Sequence, residues 1–387
     1  MSEKYSKTTE LRYRALYFCL YAPLGVVCPL IGTYLDYIGF SGAQIGMITS
    51  CGTAVAILAG FFWGRIYANA NNQKLIILIL CLAAPALAVS STFTRIFIIY
   101  LLIYSAMYFF QGPMMGLVDS RTIDRTKNFS VIRAYGAAGY AIAVFVAGQI
   151  GERIGLEKIF YLYALGYLLA FVLVSTEKDS PVAKKAAEVK EKIKVRELLQ
   201  NKRLVKLLIC AFFIQATNVP NATYFTFLFQ DGGGSVAGVG LAFLLMAGSE
   251  APFMFLLPWL NKRISTEKII PIAMGVSVFR FAMYSFGPSS TFLLATFVLQ
   301  GIVNGIVLVE QVRYVSKLAG ERLSAIAIST YYAASCSGST IVTTFFSGYL
   351  LDAFGSTGVY LFFTILNAIG LILYLGMGLQ KEKSCEN

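Results

Sequence analysis

Four ionised side chains fall within or at the ends of long apolar stretches of this 387-residue chain, and any chemistry has to be sought there first. Glu250 sits in Met246-Ala-Gly-Ser-Glu250-Ala-Pro252, and Arg280 in Val278-Phe-Arg280-Phe. Asp119 ends one apolar stretch and Arg133 opens the next. A charge placed in hydrocarbon is costly, so each needs a reason: a water-filled cavity that binds a polar solute, or a structural ion pair. For Asp119 and Arg133 an interfacial charge is a further alternative. A carboxylate that moves between a dehydrated cavity and a nearby arginine changes its proton affinity and can carry a proton. The chain has no histidine, the usual carrier near neutral pH, so the role falls to Glu or Asp. Glu250 is the best placed, with Arg280 expected to tune it. Glu310 is second, although its spacing of three from Arg313 also fits a surface ion pair, the stronger reading.

Polar amides supply a second set of candidates. Gln215, Asn218 and Asn221 recur every three residues, which puts them on one helix face, and Pro220 with Gly232-Gly-Gly implies a bend and a mobile end. Gln300 and Asn304 form another polar face. Either face lines a solute path or joins helices by hydrogen bonds. No nucleophile with a base partner and no phosphate-cradling loop is present, so hydrolysis and ATP drive have no support, no cofactor is expected, and the chain is not read as an enzyme. The seven cysteines are scattered without a CxxC pair and read as small buried hydrophobes. The sequons at Asn128 and Asn221 fall in an expected inner loop and a helix, so glycosylation is not implied.

The elements that must hold these residues are membrane helices. The chain is 57% hydrophobic and 13% charged, whereas ordinary soluble domains are about 25% charged, so lipid is its natural solvent. Apolar runs of a length able to cross roughly 30 Å of hydrocarbon fall at about 15–36, 44–64, 75–93, 96–119, 131–151 and 158–176. After a charged segment they resume at about 205–229, 237–259, 268–286, 291–313, 323–350 and 358–379. The fold class is therefore an all-α membrane protein of about twelve helices in two six-helix bundles, divided as 1–176, a central loop 177–204, and 205–387. The segment from Met1 to Arg14 is polar, without the apolar core of a signal peptide.

Of the 32 basic residues, Arg95, Arg153 and Lys158 lie in expected outer loops and Arg133 and Arg280 within helices. The other 27 fall on the side of the termini, which predicts cytoplasmic N- and C-termini in a plasma (inner) membrane. The net charge of +12 is thus a topology signal and a contact with anionic lipid, and it excludes a nucleic-acid partner. The stretch from Glu177 to Lys206 reads as a partly helical tether on the inner membrane face. A weak internal repeat supports the two halves: Gly148-Gln-Ile-Gly-Glu152-Arg-Ile-Gly155 and Gly348-Tyr-Leu-Leu-Asp352-Ala-Phe-Gly355 share G-x3-[E/D]-x2-G, each at the outer end of the fifth helix of its half. Such a plan binds solute near the midplane between halves.

With these features in place, the sequence resembles the major facilitator superfamily, and more narrowly the branch of lactose permease and related oligosaccharide and phenylpropionate proton symporters. The resemblance runs from about Arg12 to Met377 and is clearest in Asn128-Phe-Ser-Val-Ile-Arg133-Ala-Tyr-Gly136-Ala-Ala-Gly139-Tyr140. It implies that Arg133 hydrogen-bonds sugar hydroxyls and that Tyr140, two turns on, stacks on the ring. Ser249-Glu250 resembles the family's acidic residue that binds substrate and links it to protonation. Ser277-Val-Phe-Arg280 resembles its ninth-helix arginine, and Arg313-Tyr314 its basic-aromatic end of the tenth helix. Asn218 and Asn221 hold the spacing of two family aspartates whose lysine partners are replaced by Phe297 and Cys336. The family's fourth-helix acid aligns with Met115, one turn before Asp119. Its tenth-helix acid falls on Val303 and its histidine on Gln300. The loop after the second helix, Gly64-Arg-Ile-Tyr-Ala68-Asn-Ala-Asn-Asn-Gln-Lys74, has lost its acid. The fifth helix lacks the Gly-Pro motif of drug antiporters.

Together these readings predict a proton-coupled importer of a small polar solute such as a sugar or glycoside, working as a monomer by alternating access. Asp119, Arg133, Tyr140, Asn218, Asn221, Glu250 and Gln300 are the expected solute contacts, and Glu250, Arg280 and Glu310 the proton-coupling set. The alternative is a proton-driven exporter.

Overall fold

The computed structural model describes residues 7–126, 129–177 and 195–381. Most of the expected central tether, and the sequon at Asn128, lie outside these residues. Among the described residues, nine helical stretches are long and apolar enough to span a membrane. The last, Arg322–Gly376, is two helices turned at Gly355 (φ +68°), a backbone region that favours glycine. This division and two further helices, Val236–Leu260 and Thr266–Tyr284, bring the spans among the described residues to twelve.

In chain order these are α1 (Lys7–Tyr37), α2 (Gly42–Asn69), α3 (Gln73–Ser91), α4 (Phe97–Ile123), α5 (Phe129–Arg153) and α6 (Ile159–Ser175). A short helix, Val195–Gln200, leads into α7 (Lys202–Asp231). Then come α8 (Val236–Leu260), α9 (Thr266–Tyr284), α10 (Ser290–Gly320), α11 (322–354) and α12 (356–376).

Local chemistry breaks several spans. Proline has no N–H and its ring clashes with the carbonyl four residues back. Accordingly α4 is interrupted at Gly112-Pro113 and α7 at Ala216-Thr217, four and three residues before Pro220. α10 and α11 are separated at Gly320 (φ +71°), and α11 contains a π-helical stretch, Tyr331–Gly338.

The halves meet through α1 with α7, α2 with α11, and α5 with α8. Glycines set these contacts: Gly42 and Gly46 lie against Gly348, and Gly148 against Gly240. All are near the helix ends remote from the chain termini. One apolar core runs through the amino-terminal half and across this seam, taking in Phe225, Phe243, Phe281, Phe297 and Tyr360. A second core, including Leu207, Ile270, Val307 and Tyr374, belongs to the other end of the carboxyl-terminal half alone. The halves therefore share an interior at one end of the molecule and not at the other.

Candidate solute site

In the amino-terminal half, α5 is pressed onto α1 by glycines. A Cβ at Gly136 would lie 2.7 Å from the Tyr21 ring, and one at Gly139 would meet the Phe18 backbone. This close approach seats Arg133 beside the second piece of α4, where its Nη1 is 2.9 Å from Asp119 Oδ2. Tyr17 donates its hydroxyl to Asp119 Oδ1 at 2.5 Å and stacks on Tyr21. The Arg133 side chain stays 54% exposed, so the pair itself adds little stability. Among the described residues only one of the five donors of Arg133 is engaged, which leaves the guanidinium able to grip a ligand.

Glu250 is held at the α8–α10 crossing. Ser249 donates to the Val298 carbonyl at 3.0 Å, and Gly301 nests so closely that a Cβ there would stand 3.0 Å from the Glu250 nitrogen. The carboxylate is half-buried and has no hydrogen-bond or ion-pair partner among the described residues. In particular, the expected coupling to Arg280 is not made. Arg280 is 1% exposed, donates through Nη2 to Gln300 Oε1, and lies over the Phe281 and Tyr284 rings at 4.3 and 5.0 Å.

The amides divide. Gln215, Asn218, Ser277, Gln300 and Asn304 line a small cavity of about 20 Å³, room for a water-sized group, between α7, α9 and α10, with Phe281, Val303 and Val307 in the same lining. Asn221 does not join them; it is buried and accepts from the Tyr360 hydroxyl at 2.9 Å. The break before Pro220 rotates the helix between Asn218 and Asn221, so the expectation of one shared face fails there. Gln215 is tied to Gln311 at 3.0 Å and Tyr331 at 2.6 Å.

Glu310 is also set apart from the cavity. Fully buried, it accepts from Asn261 (2.8 Å), Thr266 (2.6 Å) and Arg313 (2.9 Å), and so ties the α8–α9 turn to α10. Three donors hold it as a brace, which replaces the proton-coupling reading. Sequence reasoning missed the matching brace in the other half. Glu177, at the end of α6, accepts from Arg121 (2.7 Å), Arg125 and Tyr13 (2.8 Å). Burial raises its pKa, but the charge and hydrogen bonds of Arg121, with Tyr13 and Arg125, outweigh that and hold it below the ordinary glutamate value.

The repeat motif has a structural meaning at the seam. Glu152 of α5 accepts from the Ala237 N–H at the start of α8 (2.7 Å). Asp352 of α11 accepts from the Gly42 and Ala43 N–H groups at the start of α2 (2.6 and 2.8 Å). Each acid thus caps a helix N-terminus of the opposite half, where free N–H groups and the helix dipole favour an anion.

Twelve membrane helices in two bundles, joined at one end and carrying charged and amide side chains inside the spans, define a secondary transporter of the major facilitator type, a multi-pass membrane protein and not an enzyme. The chain belongs to the MFS_1 like family, whose profile matches residues 10–362. It is 31% identical over 380 residues to the maltose permease of Geobacillus stearothermophilus, covering 96% of this chain and 95% of that one. Its fold matches the nucleoside transporter NupG with a TM-score of 0.85 at 18% identity, over 95% and 98% of the two chains. It also matches a D-xylose-proton symporter with a TM-score of 0.74 at 14% identity, over 95% and 97%.

Proposed function

We propose that the protein is a proton-coupled importer of a small polar organic solute of the sugar or glycoside class, acting as a monomer by alternating access. The observation that carries this reading is that Arg133, 54% exposed beside Asp119 in one half, and Glu250, without a partner among the described residues in the other, both lie within spans, while the shared core joins the halves only at the seam. The similarity to a maltose permease supports the solute class. With both termini cytoplasmic in the plasma membrane, the seam lies outside and the conformation is open to the cytoplasm. The bundles 1–176 and 205–387 then rock about the central site, joined by 177–204.

In this scheme Arg133, oriented by Asp119, supplies charged hydrogen bonds to solute hydroxyls, and Tyr140 offers its ring face. Asn218 and Gln300 supply amide contacts from the other half. Glu250 is a lone carboxylate in a span, a costly state relieved by a proton or by donors from the solute. Solute and proton are thereby linked at one residue.

Uptake of labelled maltose into proteoliposomes under an imposed pH gradient tests this. Glu250→Gln is expected to abolish proton-driven accumulation while solute exchange persists; undiminished uphill uptake would remove Glu250 from coupling. Arg133→Ala is expected to weaken solute binding by about 1.5–3 kcal/mol, as loss of charged hydrogen bonds does. A dissociation constant within about twofold of wild type excludes Arg133 from the site. Protons leaving as solute enters would mark an antiporter instead.

A further inference from the structure

Among the described residues Arg280 is the largest fully buried side chain. Its Nη2 meets Gln300, while its Nε and Nη1 find no acceptor among the described residues, and no carboxylate pairs with it. The Phe281 and Tyr284 rings offset part of the cost of burial through their π faces, but rings carry no net charge. Water could satisfy the spare N–H groups without neutralising the cation. Buried charges are ordinarily paired, and one without a counter-charge within a membrane span points to an anion from outside the fold.

The surroundings supply more donors. Ser277, one turn before Arg280, and Gln300, its partner, both line the small cavity between α7, α9 and α10. The Ser277 hydroxyl has no protein partner among the described residues. Asn304 Nδ2, on the same wall, meets only the weakly accepting Met246 sulfur at 4.0 Å. Gln300 gives its own Nε2 to Asn304 Oδ1 at 2.8 Å, so its Oε1 is turned to Arg280 and its amide is oriented at both ends. A cation with unused donors thus adjoins a cavity whose hydroxyl and amide groups can also donate.

We propose that Arg280, Ser277 and Asn304 form an anion-binding subsite that takes one singly charged group, a carboxylate of the solute or a free halide. A single charge matches the one uncompensated guanidinium, whereas a dianion would leave a negative charge stranded in the span. The carboxylate source rests on the solute-transport reading above and refines it to acidic sugars; the halide source stands without it.

The purified full-length protein, in halide-free buffer at constant sodium, is titrated by calorimetry with sodium bromide, with glucuronate, and with glucose as the sugar lacking the carboxylate. Saturable binding of glucuronate at least tenfold tighter than glucose identifies the solute's own charge. Saturable bromide binding without that preference identifies a free anion. Either must weaken at least tenfold in Arg280→Gln. Gln300→Glu places a carboxylate where Gln300 already meets Arg280. It is expected to raise the melting temperature and abolish binding of both anions, and it decides the matter if Arg280→Gln does not fold. The proposal is overturned if neither anion binds better than glucose, or if binding stays within twofold of wild type in either variant. Proton-driven maltose uptake and its loss in Glu250→Gln are measured separately, so failure here is distinguishable from failure of the transport reading.

Discussion

The two ends of the molecule use acidic residues in opposite ways. At the seam, Glu152 and Asp352 reach across to the other half and accept backbone N–H groups at helix starts. At the end bearing the termini, Glu177, Glu310 and Glu267 are buried and meet arginine or lysine of their own half. The exposed cross-half caps are worth little each and can be broken and remade, since an acid at a helix N-terminus contributes about 0.3–1 kcal/mol. The Arg121–Glu177 pair, buried on both sides, costs far more to break. That contrast is what rocking requires: stiff halves and a weak, repeatable closure.

The sharpest way to break the contrast is to remove Glu177. Arg121 is left 3% exposed with no carboxylate, and loss of one partner of a buried pair costs about 3–5 kcal/mol. Glu177→Ala should lower the melting temperature of the purified protein by several degrees, with early proteolysis confined to the amino-terminal half. The same residue gives a pH signature. Because its folded pKa lies below the unfolded value of about 4.3, its contribution is present above that pH and is lost as pH falls through the folded pKa. Wild-type stability should therefore decline on acidification below about pH 4.3, and Glu177→Gln should flatten that part of the profile. An unchanged profile would show that Glu177 is not a brace.

The seam comes next in size. Removing both caps, in Glu152→Gln with Asp352→Asn, should shift the balance toward a state open at the seam by roughly three- to thirtyfold, from two contributions of about 0.3–1 kcal/mol. Spin labels at Ser41 and Phe354 would report a longer distance population. The melting temperature should move much less than in Glu177→Ala. If it moves as much, the seam is part of the folding core and the contrast between ends is wrong.

The spans were legible in the sequence because about twenty apolar residues leave few alternatives. The expected 44–64 and 237–259 lie inside the observed Gly42–Asn69 and Val236–Leu260. The cost of intramembrane charge likewise singled out Arg133, Asp119, Glu250 and Arg280. Their partners were not legible, because pairing depends on rotation about each helix axis. A break before Pro220 sends Asn218 to the cavity and Asn221 to Tyr360. Arg280 turns to Gln300 rather than Glu250 for the same kind of reason. The repeated acids Glu152 and Asp352 were visible as a motif, but the N–H groups that donate to them lie across the halves, 85 and 310 residues away in sequence. Glu177 looked like the start of a charged loop, and only the packing of α4 beside α6 shows it to be an anchor.

The smallest effect expected tests the brace in the other half. Arg313 is half exposed, while its partner Glu310 is fully buried and keeps Asn261 and Thr266 as donors without it. The pair is therefore screened on one side and backed on the other, and its removal should cost no more than about 1 kcal/mol. Arg313→Gln should shift the melting temperature by a degree or two and leave proton-driven uptake intact. Glu310→Gln strips the charge from all three contacts and should cost more than Arg313→Gln, since charged hydrogen bonds are about twice as strong as neutral ones. If instead Arg313→Gln abolished proton-driven accumulation while Glu250→Gln did not, coupling would reside at the α8–α9 turn, and Glu310 would regain the proton-carrying role that its three donors argue against.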